Sequence, residues 1–129
     1  QDGSKMTARQ LLSKISTFFG VNELISALKS QCKSGYITNY FGRPIEVDDA
    51  RDSILVNNFL QSTASDLAIH AFSSFSEDKR FPALPVFLIH DALIVDVKSG
   101  DEAALEDYLK DGFIHEKLGR FPLKLKRLQ

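Results

Sequence analysis

The stretch PVFLIHDALIVDV, from Pro85 to Val97, decides the fold that we expect for this chain. Its two apolar runs are rich in β-branched, aromatic and large aliphatic side chains, which are typical of buried strands. His90 and Asp91 separate the two runs. The pattern therefore predicts two strands of about five residues, joined by a tight turn at this pair.

Asp91 would then lie on a rigid and largely dry turn. A carboxylate in such a place needs a cation, a hydrogen-bond donor or a metal ion as its partner. For a lone His-Asp pair the default interpretation is structural, with the histidine satisfied in the core and the aspartate capping the turn. The residues of this stretch alone leave these alternatives open.

Length and composition indicate one domain with a core, because the chain has 129 residues, of which 43% are hydrophobic. The net charge of −1 predicts neither a nucleic-acid coat nor a membrane-surface protein. Charge is nevertheless uneven: residues 91–111 carry seven acidic and two basic side chains, and residues 115–129 carry one acidic and five basic.

The single cysteine, Cys32, excludes an internal disulfide and fits a reducing compartment. No apolar run approaches the roughly 20 residues of a membrane span, and no signal-peptide pattern opens the chain. We therefore expect a soluble cytoplasmic protein without a membrane partner. Met6 is either an original start or an ordinary core methionine.

The remaining elements follow from periodicity and from helix-capping residues. Thr7 to Phe19 predicts a helix capped by Thr7 and stopped by Gly20, and a second helix capped by Asn22 ends at Gly35. The residues from Tyr36 to Val47 predict a small surface hairpin.

A long helix should follow from Asp48 to Phe75, capped by Asp48 or Asp49, and a shorter helix capped by Ser99 or Asp101 should stop at Gly112. Phe121 to Leu128 alternates like a half-buried strand with one basic side. This order, without β-α-β alternation, predicts an α+β domain with long helices packed on a small antiparallel sheet.

Two polar features stand out before the His-Asp pair. Ser53, Asn57, Gln61 and Ser65 recur every four residues, so they line one another along the long helix. They are either a water-facing stripe or a recognition surface, and the small residues just beyond, Ser62 to Ala64, would let a partner approach closely. Arg43, next to Gly42 in the hairpin, is either a solvated turn arginine or a phosphate contact.

Three segments, in this order and spacing, resemble the C-terminal part of family A DNA polymerases, the group of bacterial DNA polymerase I and many phage replicases. They are GYITNYFGR (Gly35 to Arg43), NNFLQSTASDL (Asn57 to Leu67) and LIHDALIVDV (Leu88 to Val97). The family has a G-Y-x-x-T-x-x-G-R hairpin, a helix with N-x-x-x-Q-G-T-A-A-D, and a strand-turn-strand with H-D-E. The match runs from about Gly35 to Leu128.

The resemblance implies that residues 35–129 form the end of the palm, and that residues 1–34 form helices from the end of the fingers and the connection to the palm. It implies a DNA-directed DNA polymerase, a nucleotidyltransferase that acts on primer-template DNA and dNTPs. Asn57 and Gln61 would contact the primer-template minor groove, whose acceptors are common to all base pairs. Arg43 would contact DNA backbone or template.

By the same resemblance, Asp91 is one of two carboxylates that hold a pair of Mg²⁺ ions, and His90 lies against the primer end. Four positions depart from the family pattern. Ala92 replaces the usual glutamate, small serines at Ser62 and Ser65 replace glycine and alanine, and Ser53 stands at the position of a common arginine, for which Arg51 could substitute.

The first metal-binding aspartate and the fingers helix lie upstream of this segment in the family. The chain is therefore expected to be inactive until an upstream polymerase fragment completes it. Two alternatives stay open: a non-catalytic DNA-binding or assembly module derived from a palm, and a relative of the single-subunit RNA polymerases, which also end in a histidine-aspartate turn.

Overall fold

The computed structural model describes residues 7–89 and 91–128, and it confirms the α+β class. The described residues form four α-helices and three separate two-stranded antiparallel sheets, where we had expected one small sheet. The elements are α1 (Ala8–Phe18), α2 (Val21–Gln31), β1 (Tyr36–Thr38), β2 (Pro44–Glu46), α3 (Asp52–Glu77), β3 (Leu84–Ile89), β4 (Ala92–Asp96), α4 (Glu102–Leu109), β5 (Phe113–His115) and β6 (Gly119–Phe121).

The chain divides into two compact units, Gln1–Ala64 and Ser65–Gln129. Helix α3 contributes its residues up to Ala64 to the first unit and the rest to the second. The division that the resemblance implies, at residues 34 and 35, concerns correspondence with polymerase subdomains and stays a prediction. The possible start at Met6 lies outside the described residues.

Helix α1 begins as its sequence predicts. The Thr7 hydroxyl accepts a hydrogen bond from the Gln10 N–H at 3.3 Å, and Gln10 Oε1 accepts one from the Thr7 N–H at 2.9 Å. This reciprocal pair is a capping box. The prediction that Asn22 caps α2 is wrong, because Gly20 takes a left-handed conformation (φ 63°) and its carbonyl accepts from Leu24, so the helix begins at Val21.

The predicted cap of α3 is also wrong. The Asp49 carboxylate instead accepts two hydrogen bonds from Arg51. One comes from the Arg51 backbone N–H at 2.9 Å, and the other from its Nε at 2.7 Å. Local side-chain bonds of this kind compete with capping. The helix therefore starts three residues later, at Asp52.

The core of the first unit joins three of its elements. Leu28 of α2, Ile37 of β1 and Leu55 of α3 are fully buried against one another. Partly buried apolar side chains surround them: Leu24, Cys32, Ile45, Val47, Val56 and Phe59. This cluster fixes the β1–β2 hairpin against the first turns of α3.

In the second unit, β3 and β4 form the predicted hairpin, with Ile89 opposite Ala92. The expectation that both strands are buried is wrong for β3, whose Leu84, Val86 and Phe87 are between 59% and 66% exposed. A register shift between Pro85 and Phe87 interrupts the pairing. Strand propensity predicted the hairpin, but it does not report which faces other elements cover.

The predicted strand from Phe121 to Leu128 is wrong. The strands in this region are β5 and β6, which pair Phe113 with Phe121, and residues 122–128 are not in a strand. Pro122 has no N–H for a ladder, and an alternating pattern forms a strand only where a partner offers backbone groups. In the described residues, no helix combines the length and apolar character needed to cross a membrane.

One ion-pair network ties α4 to the loop after α3. Asp78 accepts hydrogen bonds from Arg80 Nε at 3.0 Å, from Arg80 Nη2 at 2.9 Å and from the Tyr108 hydroxyl at 2.8 Å. The Arg80 side chain, its backbone N–H and the Tyr108 hydroxyl hold the pKa of Asp78 well below its ordinary value. Burial, and then the Asp78 carboxylate, raise the pKa of Tyr108.

This network predicts an acid-sensitive contribution to stability. Because the pKa of Asp78 is lower in the folded than in the unfolded chain, its contribution is complete above the ordinary value of 3.8 and is lost as pH falls through the folded pKa. We expect Asp78→Asn to lower the melting temperature at pH 7, and the difference from the unmodified chain to close in strong acid. A difference that persists unchanged at low pH would refute this.

Candidate functional site

Asp91 lies at the tip of the β3–β4 hairpin, in a turn of two residues, because Ile89 pairs directly with Ala92. The predicted dry environment is wrong, since the Asp91 side chain is exposed. Its carboxylate makes no hydrogen bond or ion pair with any other residue in the ranges 7–89 and 91–128. His90, the other predicted residue of this turn, lies outside the described residues.

A cleft of about 270 Å³ begins at Asp91. Most of its lining is apolar, and among the described residues that line it Asp91 and Lys124 are the charged ones. The other lining residues are Phe72, Phe75, Phe81, Ala92, Leu93, Val95, Leu109, Pro122, Leu123 and Leu125. Residues of the C-terminal segment thus lie beside the turn, which the sequence did not predict.

The carboxylate of Asp91 is chemically suited to be one ligand of a magnesium ion. Mg²⁺ typically takes one or two carboxylates from a protein and completes its shell with water and substrate phosphates. Asp91 offers such a carboxylate, exposed and without a partner in the described part of the chain. No group of three or more His, Cys, Asp or Glu side chains in that part could hold a metal ion.

The two helix amides are exposed, as a recognition surface requires. Asn57 and Gln61 lie one turn apart on α3, and Ser53 and Ser65 continue the exposed stripe on either side. Leu60 and Ala64, on one flank of the stripe, are also exposed. The stripe carries no charge, so any contact that it makes depends on hydrogen bonds and close approach.

The loop between β1 and β2 is built around Asn39, which is only 4% exposed. Its Oδ1 accepts hydrogen bonds from the backbone N–H groups of Phe41 and Arg43, both at 3.0 Å. Its own N–H donates to the Arg43 carbonyl, and its carbonyl accepts from Gly42. One buried side chain therefore sets the backbone of the whole loop.

This loop meets α3 on the side away from the amides. The Tyr40 N–H donates a hydrogen bond of 3.1 Å to the Thr63 hydroxyl. At 3.6 residues per turn, Thr63 points about 160° away from Gln61 and about 120° away from Asn57. The hairpin therefore contacts α3 at the small residue Thr63. The loop that carries Arg43 lies on a different side of this helix from Asn57 and Gln61.

Arg51, the proposed substitute for the missing helix arginine, is already paired. Its Nη2 lies 2.6 Å from Asp49 Oδ2 and its Nε donates to the same oxygen, although the arginine side chain is well exposed. This bond, followed by the attraction of the two charges, raises the pKa of Arg51. A phosphate would have to compete with Asp49 for this guanidinium.

The predicted residues fall into two groups. Arg43, Arg51, Asn57 and Gln61 belong to the first unit, and Asp91 belongs to the second. The sequence did not indicate the roles of Asn39 and Thr63, and Lys124, a candidate phosphate contact, was not expected beside Asp91. An asparagine shortly before a glycine in a turn is a known signal for a side chain that organises a loop, so Asn39 could have been found.

The comparisons with known proteins identify no family for this chain. No protein-family model, no curated protein and no solved structure matches this chain.

Proposed function

We propose that this chain is the C-terminal palm segment of a family A DNA-directed DNA polymerase. Asp91 supplies one carboxylate of the two-ion magnesium site, and the upstream polymerase fragment supplies the other. The chain is inactive by itself and acts in the bacterial cytoplasm, including that of a phage-infected cell. The observation that carries the proposal is an exposed carboxylate, without a described partner, on a two-residue hairpin turn.

The chemistry follows from what each residue offers. Mg²⁺, when bound, lowers the pKa of the primer 3′ hydroxyl and neutralises the charge of the leaving pyrophosphate. Asp91 holds its carboxylate at a position that the short turn of the hairpin restricts. His90 lies against the primer end in this assignment, and the amides of Asn57 and Gln61 test the shape of the base pair in the minor groove.

Reconstitution tests the proposal. The chain alone should extend no primer, and mixing it with an upstream fragment that carries the first aspartate and the fingers helix should produce magnesium-dependent extension. The chain without the fragment and the fragment without the chain are the two controls. Absence of extension by a stable complex of both parts would refute the catalytic assignment.

A second candidate is a non-catalytic DNA-binding module, which Ala92 favours because the family has a second carboxylate at that position. It predicts primer-template binding by the chain together with no extension by the reconstituted complex. Reconstitution therefore separates the two candidates.

The helix amides give a prediction that both candidates share. We expect the double substitution Asn57→Ala and Gln61→Ala to weaken primer-template binding about tenfold, because each lost hydrogen bond contributes about 0.5–1.5 kcal/mol. The salt dependence should not change, since neutral side chains release no counterions. Fluorescence anisotropy at several salt concentrations measures both quantities.

The matched control is Asn22→Ala, which removes an exposed amide from α2. It should leave the affinity within about twofold, the range of a surface change of no more than about 0.5 kcal/mol. Equal losses in the control and in the double variant would show that the stripe on α3 has no special part in binding.

A further inference from the structure

The loop from Asn39 to Arg43 has the properties of a preformed binding element. Its backbone is fixed by the four hydrogen bonds of Asn39, and its position is fixed by the bond from the Tyr40 N–H to Thr63. A ligand that meets this loop would not have to order it first. Preorganisation of this kind lowers the free-energy cost of binding.

The backbone N–H groups of this loop are already used within the chain. The N–H groups of Tyr40, Phe41, Gly42 and Arg43 all donate hydrogen bonds inside the chain. None of these four is therefore available to cradle an anion. What the loop presents instead is a pair of aromatic rings next to an arginine.

The two rings stand edge to face, with centroids 5.2 Å apart and planes at 85°. Tyr40 is 41% exposed and Phe41 is 39% exposed, although the residue before this pair, Asn39, is buried. Exposed aromatic side chains beside a basic residue are the elements with which proteins hold unpaired bases, because every base has a flat face that stacks on a ring.

We propose that Tyr40 and Phe41 form a stacking site for an unpaired nucleobase of single-stranded DNA. The choice of a nucleic acid as the ligand rests on the proposed function, whereas the site itself rests on the rigid loop and its exposed rings. This site is separate from the amide stripe, which faces another side of α3. Binding at this site is independent of the DNA sequence, since stacking on a ring does not involve the hydrogen-bonding edges of a base.

The test uses the whole chain and a single-stranded oligodeoxythymidylate of about 12 nucleotides that contains one 2-aminopurine. Anisotropy of a terminal dye gives the affinity, and 2-aminopurine emission reports stacking because a stacked base is quenched. We expect the unmodified chain to quench the emission. The double substitution Tyr40→Leu and Phe41→Leu should remove the quenching and weaken binding about tenfold, the size of a lost stack.

Two further variants control for changes in folding. Tyr40→Phe keeps the ring and should bind like the unmodified chain, and the bond of Tyr40 to Thr63 is made by the backbone, so it survives both substitutions. Phe18→Leu removes an aromatic side chain on α1 that is 82% exposed, and it should have no effect. Circular dichroism checks that each variant is folded.

The outcomes separate this site from the proposed function. Unchanged quenching in the folded double variant overturns the stacking site. Binding of duplex primer-template without binding or quenching of the single strand also overturns the site and leaves the proposed function standing. Failure of the chain to bind either form of DNA overturns the stacking site, and the reconstitution experiment then decides the proposed function. If the double variant does not fold, quenching by the unmodified chain and its loss in Tyr40→Leu alone decide the question.

Discussion

Asp91→Asn should abolish magnesium-dependent primer extension by the reconstituted complex while it leaves the chain folded. A metal ligand at a reacting phosphate contributes several kcal/mol to the transition state, so the rate should fall by about 1,000-fold or more. Asparagine has the same shape as aspartate, but it lacks the negative charge that holds the ion. Single-turnover extension measures the rate.

The fold should tolerate this substitution because the Asp91 side chain is exposed and has no described partner. Asp96→Asn is the matched control, since Asp96 is an exposed aspartate at the other end of the same hairpin. It should retain nearly full activity. A reconstituted complex that keeps its activity with asparagine at position 91 would remove the basis of the metal assignment.

Leu55→Ala should produce a large loss of stability in the first unit. Leu55 is fully buried between Leu28 and Ile37, so the substitution removes apolar contacts and leaves a cavity that the neighbours fill only in part. Leucine-to-alanine changes in such cores lower the free energy of unfolding by about 2–5 kcal/mol. Urea unfolding followed by circular dichroism measures this loss.

Leu60→Ala is the control on the same helix. Leu60 has the same side chain, but it is 55% exposed, so its truncation should change the free energy of unfolding by about 0.5 kcal/mol or less. Similar losses at the two positions would mean that the cluster of Leu28, Ile37 and Leu55 is not the core that positions the β1–β2 hairpin.

The local elements could be predicted because the signals for them are local. Thr7 caps α1 as predicted, and the apolar runs on either side of His90 and Asp91 do form a hairpin. That Asn57 and Gln61 share one face of the helix follows from helical periodicity.

Burial and long-range contacts could not be predicted in the same way. The apolar run of β3 indicates a strand, but it does not reveal that Val86 and Phe87 are exposed, because exposure depends on which surfaces other elements cover. The bond from Tyr40 to Thr63 joins residues 23 positions apart, and no local pattern encodes it. Residues 122–128 alternate like a strand and still form none.

The electrostatic environment of the candidate site also depends on which charged side chains the fold brings together. Arg51 was a candidate DNA contact because of its place in the sequence, and only the structure reveals its pairing with Asp49. Lys124 was a candidate phosphate contact, and only the structure reveals that it shares a cleft with Asp91. Asp91 and Lys124 are distant in sequence and share a cleft only after folding, whereas Asp49 and Arg51 lie two residues apart, so that their pairing is a local one.

Paramagnetic broadening by Mn²⁺ tests the central claim most directly, since Mn²⁺ binds the same oxygen ligands as Mg²⁺. The isotope-labelled chain, in complex with the upstream fragment and primer-template DNA, would be titrated with Mn²⁺ and followed by NMR. We predict that broadening centres on the amides of Asp91 and Ala92 and disappears in Asp91→Asn. Broadening centred elsewhere, or the same pattern in the asparagine variant, would contradict the assignment of Asp91 as a metal ligand.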